Sequence, residues 1–234
     1  MDASGVDPRA GFFGKVTSHG DFVSRRLGAD FLRVWDAWLQ EGLQQSRTVL
    51  GPRWLNTYLS SPIWRFALSS DVCGEHGWAG LMMPSVDRVG RHFPLVLARA
   101  LPAPASPLDC AQKHDDWYAQ LEALALWSLE EGFSLEQFDA TLSSVPTPHA
   151  DAAPGGAVML LDESQPLGPQ LANAGSSGLL RHIAGAALAG QCLWWTDGSP
   201  QIAPCMLLSR GLPPASAFAA LLDGDWHGHG WPAA

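Results

Sequence analysis

The sequence predicts an α/β layered sandwich, a mixed and largely antiparallel sheet covered by helices. Three observations carry that expectation. Between Pro62 and Leu101 the runs IWRFAL, WAGLMM and FPLVLARAL are apolar and strand-length, and Gly, Pro, Ser and Asp separate them, the punctuation of an antiparallel meander. Before them, Phe31, Trp35, Trp38, Leu39 and Leu43 recur at the spacing of one helix face. Beyond residue 157, strand-like and helix-like runs alternate, as in layered α/β folds.

Taken in order, residues 1–10 are polar and expected to fray. Gly11 to Leu27 (GFFGKVTSHGDFVSRRL) gives a short apolar strand, a Gly/Ser/His turn and a polar exit. Asp30 stands where a helix cap would, Arg47 suits the last turn of that helix, and Gly51 and Pro52 end it. Trp54 to Ser60 reads as a second, short helix. The three strands follow, with turns at Ser70–Gly74 and Pro84–Pro94 and one face covered by the Asp30 helix. After PAPASP (Pro102–Pro107), a long helix is expected from Asp109 to Glu131, striped by Trp117, Leu121, Leu124 and Trp127. Ser134 and Gln137 have capping-box spacing at the head of a helix that runs to Ser144.

Val145 to Gly156 reads as a linker or long surface loop. A strand (Ala157–Leu161), a helix (about Gly178–Ala189), two strands (Cys192–Thr196, Pro204–Ser209) and a closing helix (Pro214–Leu222) complete the chain. The expected organisation is an N-terminal region over 11–102, a helical segment over 103–144 and a C-terminal α/β region over 157–222, packed together as one compact domain. The pattern leaves open whether the last strands join the first sheet or form a second.

Composition excludes several function classes. With 47% apolar and 16% charged residues in 234, the chain is globular rather than disordered. No apolar run approaches the roughly 20 residues that span a bilayer. MDASGVDPRAG has no basic segment leading into an apolar one, so no secretory signal is expected, and a cytoplasmic location is. Cys73, Cys110, Cys192 and Cys205 form no C-x-x-C pair, which fits reduced, mostly buried thiols. Charge is uneven. Residues 1–102 hold 11 Lys and Arg against 9 Asp and Glu, whereas residues 103–234 hold 3 against 14. A net charge of −9 without a basic patch disfavours nucleic acid and anionic membranes.

The densest polar stretch is Pro84 to Pro94, PSVDRVGRHFP. It packs Asp87, Arg88, Arg91 and His92 around Gly90 and between two prolines, a rigid loop between two strands suited to a polar network or a binding site. Gly14-Lys15 invites comparison with a phosphate loop. Arg9 replaces its first Gly, however, and Val16 its Ser/Thr, leaving Lys15 as a surface or ion-paired residue beside Asp21. Ser85, Asp87 and His92 can be written as a hydrolase triad, but no G-x-S-x-G surrounds Ser85. The plainer reading has Asp87 paired with an Arg inside the turn and Ser85 bonded to backbone. Asp225, His227 and His229 read as a surface tail rather than a metal site, and no cofactor or metal is expected. Eleven tryptophans mostly fall on expected core faces. Trp64-Arg65 is a pair of the kind enriched at interface hot spots.

With these segments in view, GFFGKVTSHGDFVSRRL, WDAWLQEGLQQSR, LSSPIWRFALSSDVCG, WAGLMMPSVDRVGRHFPL and LWWTDG resemble the TagF (ImpM) family of type VI secretion-associated proteins. The likeness is dense over about residues 11–100 and thin through Trp194-Trp195 to GLPPASAFAALL. His92 departs from the aromatic residue the family usually places before Phe-Pro. The resemblance implies an α/β sandwich and a cytoplasmic, non-catalytic protein. Its implied role is post-translational repression of type VI secretion, by binding the machine's forkhead-associated scaffold independently of the threonine-phosphorylation switch. Candidate partner-binding or loop-holding residues are Lys15, Asp21, Trp64, Arg65, Ser85, Asp87, Arg88 and Arg91. Two rival readings stand beside this one: a hydrolase or phosphate-ligand enzyme using Ser85, Asp87, Arg91 and His92, and a structural subunit with a large exposed apolar patch.

Overall fold

The computed structural model describes residues 7–101, 107–146 and 190–231. Seven strands, β1 (Gly11–Gly14), β2 (Val23–Arg25), β3 (Trp64–Leu68), β4 (Trp78–Met83), β5 (Leu95–Ala100), β6 (Gln191–Thr196) and β7 (Cys205–Arg210), form one sheet in the order β2-β1-β5-β4-β3-β6-β7. Every pairing among them is antiparallel. The meander β3–β4–β5 lies at its centre, and the late strands β6 and β7 extend it from β3. The expected strand at Ala157–Leu161, the helix at Gly178–Ala189 and most of the linker lie outside the described residues.

Strand alternation sorts the core into two layers, because successive side chains leave opposite faces of a sheet. Trp64, Phe66 and Leu68 of β3, Trp78 and Met82 of β4, and Cys192 and Trp194 of β6 face one side. That side is covered by α1 (Ala29–Leu50), which buries Phe31, Trp35, Trp38, Leu39 and Leu43 as its spacing requires. Ala79, Leu81, Leu95, Leu97, Leu193 and Trp195 face the other side. There α3 (Pro107–Lys113), α4 (Asp115–Trp127) and α5 (Leu135–Ser144) pack on the sheet. All six residues of β4 are therefore buried, as a central strand covered on both faces demands.

The tryptophans do more than fill this core. The indole N–H groups of Trp38, Trp64 and Trp231 donate to the carbonyls of Pro213 (2.7 Å), Leu221 (2.8 Å) and Ala217 (3.0 Å). The first two pin the C-terminal segment, a 3-10 turn (Ala215–Ala217) and the short α6 (Ala220–Asp223), against the α1 layer, and the third folds the tail back onto that segment. Gly42 permits this contact, since a methyl group there would run into the Phe218 ring.

Several boundaries differ from expectation for local reasons. Gly28, not Asp30, precedes α1, and no side chain caps it. Asp30 sits in the first turn, where its charge still suits the helix dipole. The long helix expected from Asp109 to Glu131 is broken at His114 (φ −123°, ψ 29°) and ends at Trp127. The closing helix is replaced by the 3-10 turn and four-residue helix just described. Ser134 does cap α5, accepting from the Gln137 amide at 3.4 Å. A further 3-10 turn (Gly51–Arg53) and α2 (Trp54–Leu59) join α1 to β3. Among the described residues no helix is long and apolar enough to cross a membrane.

Candidate functional site

β1 lies beside β5 in the sheet, so the loop leaving β1 (residues 15–22) and the loop entering β5 (residues 84–94) meet at one end of the molecule. Gly14 makes the approach possible. It has φ 139°, and a side chain there would strike the Pro94 carbonyl. The second loop closes on itself through a bridge between Val86 and His92 and through hydrogen bonds from Asp87 N to Arg91 O and from Gly90 N to Asp87 O, each 3.0 Å. Gly90 supplies the positive φ, 86°, that this turn needs.

At the centre lies the Asp87 carboxylate, whose side chain is fully buried. Its Oδ2 accepts from Lys15 Nζ at 2.6 Å and Arg91 Nε at 2.7 Å, and its Oδ1 accepts from the amides of Arg91 (2.9 Å) and Val89 (3.0 Å). Burial pushes the carboxyl pKa upward, but the donors from Lys15, Arg91 and Val89 outweigh it and hold the pKa well below the usual carboxylate range. Lys15 is therefore the ion-paired residue that the sequence allows rather than a surface one, and its carboxylate is Asp87, not the neighbouring Asp21. Its ammonium is buried, bound to Asp87, and lies 4.4 Å from the centroid of the Phe22 ring. Phe22 in turn stacks on Phe13 and meets Phe93 edge-on.

The remaining bonds fasten one loop to the other. Ser85 Oγ donates to the Lys15 carbonyl at 2.8 Å, the Arg88 amide donates to His19 O at 3.0 Å, and the Arg91 guanidinium donates to Gly20 O. Tyr58 of α2 supports the assembly from below: its hydroxyl donates to Ser85 O and accepts from Ser85 N, both at 2.9 Å. His92 sits edge-on to Trp54 and Tyr58. Burial and the Arg47 charge lower its pKa, against a smaller upward pull from Asp87.

The structure thus brings Lys15, Ser85, Asp87 and Arg91 together and places Arg88 on the same rim. Asp21 is exposed, and its carboxylate accepts only from the Phe22 amide among the described bonds. Trp64 belongs elsewhere, buried in the α1 layer with its N–H on Leu221. Arg65 leaves the opposite face of β3, where Glu122 of α4 takes it in a two-pronged pair (2.6 and 3.1 Å) and Asp197 adds a third contact at 2.7 Å. Sequence reasoning missed Tyr58. The available signal was its rarity, since the chain has two tyrosines, and both bury a hydroxyl that donates to a backbone carbonyl, Tyr58 to Ser85 and Tyr118 to Phe66. In the tail, His229 lies 3.0 Å from Asp223, and Asp225 accepts from the Gly228 amide. The described residues contain no cluster of three or more His, Cys, Asp or Glu able to hold a metal.

A family model described as the TagF N-terminal domain, type VI secretion system-associated, matches residues 11–145, a span that contains both loops and Tyr58. The chain is also similar to the crystal structure of PA0076 from Pseudomonas aeruginosa PAO1, with 38% identity and a TM-score of 0.79. That likeness covers 92% of this chain and 94% of the other. No curated protein matches. This chain belongs to the TagF family of type VI secretion system-associated proteins.

Proposed function

We propose that the protein is a cytoplasmic, non-catalytic regulator that represses type VI secretion by binding the forkhead-associated scaffold of the machine. The observation that carries this reading is the contrast between a sealed polar centre and an exposed rim. Ser85 and Asp87 are 2% and 3% exposed, whereas Val89 at the loop tip is 65% exposed and Arg88 and, on the first loop, Phe22 are exposed as well. A loop whose chemistry is spent on holding its own shape presents a preorganised surface, which lowers the entropic cost of docking a protein.

The hydrolase reading has less support. A nucleophile needs a base within reach, yet the Ser85 hydroxyl donates to a carbonyl and the His92 ring packs on Trp54 and Tyr58. Asp87 is committed to two cations. The test is a pull-down of the purified scaffold by wild type and by an Asp87→Ala/Arg91→Ala variant, with folding checked by circular dichroism. Capture by wild type and not by a folded variant supports the proposal. Capture by both removes the loop from the interface, and capture by neither removes the scaffold as partner.

A further inference from the structure

Nine large apolar side chains are exposed among the described residues, and they are not spread evenly. Two, Met206 and Leu208, lie on the edge strand β7. The other seven gather at the end of the sheet where the two loops meet. Phe22 and Val89 come from the loops themselves, Leu55 and Leu59 from α2, and Val49 from the last turn of α1. Leu126 and Leu129 flank Ser128, whose carbonyl accepts from Thr17 Oγ1 of the first loop at 2.9 Å. Leu126 and Leu129 lie on the α4 side of the sheet, which leaves the other five as the candidate surface, since exposed apolar groups gathered on one surface mark interaction sites.

Charge at the same end is equally uneven. Arg9, Arg25, Arg26, Arg33 and Arg65 each meet a carboxylate within 4.0 Å. Arg47, Arg53 and Arg88 here, and Arg210 at the end of β7, are exposed and enter no ion pair among the described residues, though Arg53 lines a pocket with Asp223 and Asp225. Arg47 reaches the loop through Trp54. Its guanidinium lies 4.3 Å from the Trp54 ring centroid, Trp54 meets His92 edge-on, and the Arg47 charge helps to disfavour a second cation at His92. A chain of net charge −9 therefore leaves unpaired arginines beside its main exposed apolar groups. Arginine beside apolar anchors is the composition of interface hot spots.

We infer that this end, formed by α2, the last turn of α1 and the two loops, is the docking surface for an acidic protein face that carries apolar side chains. The inference rests on the scaffold-binding reading and names where, and to what chemistry, the scaffold would dock. Charge complementarity selects the occupant: an acidic face meets Arg47 and Arg88 while its apolar groups cover Leu55, Leu59 and Val89.

The test measures the affinity of the purified forkhead-associated scaffold for wild type and three variants at low and high salt. The variants are Arg47→Glu/Arg88→Glu, Leu55→Asn/Leu59→Asn and, at the far end of α1, Arg33→Glu. Arg88→Glu alone is a second probe, because Arg88 supports no packing contact of the kind Arg47 makes with Trp54. The expected result is a loss of about tenfold or more for the first two pairs, a smaller loss for Arg88→Glu, no change for Arg33→Glu, and wild-type binding that weakens with salt. Wild-type binding that both pairs leave intact overturns the surface while the scaffold reading stands. Failure of wild type to bind overturns both. Self-association of the protein that Arg47→Glu/Arg88→Glu abolishes, without scaffold binding, assigns the surface to a second copy and overturns the proposed occupant.

Discussion

Two ionic nodes flank the centre of this sheet, and they are built with opposite signs. At the loop end an anion, Asp87, sits between Lys15 and Arg91. On the α4 face a cation, Arg65, sits between Glu122 and Asp197. The first node has a closed centre: the Asp87 side chain is wholly buried and Lys15 nearly so, with Arg91 reaching in from solvent. The second is open, since Asp197 is largely in solvent. The difference teaches what each can do. A buried charge left without its partner is strongly destabilising, so the Asp87 node dictates the shape of its loops. Arg65 and Glu122 are part-buried, but Asp197 is in water and removing Arg65 leaves neither carboxylate sealed from solvent, so the Arg65 node tethers α4 to β3 at a smaller cost when broken.

The largest effect expected from this contrast is that of Asp87→Ala. It strands the buried Lys15 ammonium and removes the acceptors of two loop amides, and the account predicts a fall in Tm of roughly 10 °C, read by thermal melting. The effect depends on pH with a definite sign. Because the fold holds the Asp87 pKa below its unfolded value, the stabilisation is complete above about pH 4 and is lost as pH falls through the folded pKa. Asp87→Asn should therefore flatten the acid limb of the stability profile.

Tyr58→Phe comes next. It leaves the ring in place but takes the hydroxyl from Ser85, at a cost of about 1–3 kcal/mol in a urea titration. Arg65→Ala is expected to cost less than Asp87→Ala, about 1–2 kcal/mol, and the part owed to exposed Asp197 shrinks in high salt. If Arg65→Ala proves as damaging as Asp87→Ala, the contrast between the nodes is wrong. The smallest effect concerns His92, whose folded pKa lies below the ordinary 6.5 because of burial and Arg47. Its contribution is present above pH 6.5 and falls as pH drops through the folded pKa. A His92→Gln variant should lack that slope just below pH 6.5, read by thermal melting across that range.

How much of this was legible in the sequence follows the distance over which each feature is decided. The β3–β4–β5 meander and α1 are local: alternation, a repeated helical face, and Gly51, Pro52, Pro84 and Pro94 mark them. The Asp87–Arg91 pair, four residues apart in one turn, was legible for the same reason. Lys15 and Asp87 are 72 residues apart, and their pairing depends on β1 docking beside β5, which no short-range pattern encodes. Asp21 was the nearer carboxylate in sequence and the wrong one in space. The break at His114 was hidden because no Gly or Pro announces it and apolar residues continue beyond it. Arg65 was readable as a charge beside a core Trp, but not as a tether, because its partners come from α4 and from the end of β6.

The central claim is that the Asp87 node holds a preformed surface and that this surface meets the scaffold. Backbone hydrogen exchange of the protein, free and with the purified forkhead-associated scaffold, tests it most directly. The account predicts slow exchange at Val89 and Arg91 in the free protein, whose amides bond to Asp87. It also predicts added protection on binding in residues 15–22, 84–94 and α2. Fast exchange at those two amides, or protection confined to β7 and α4 while the loops are unchanged, would contradict it.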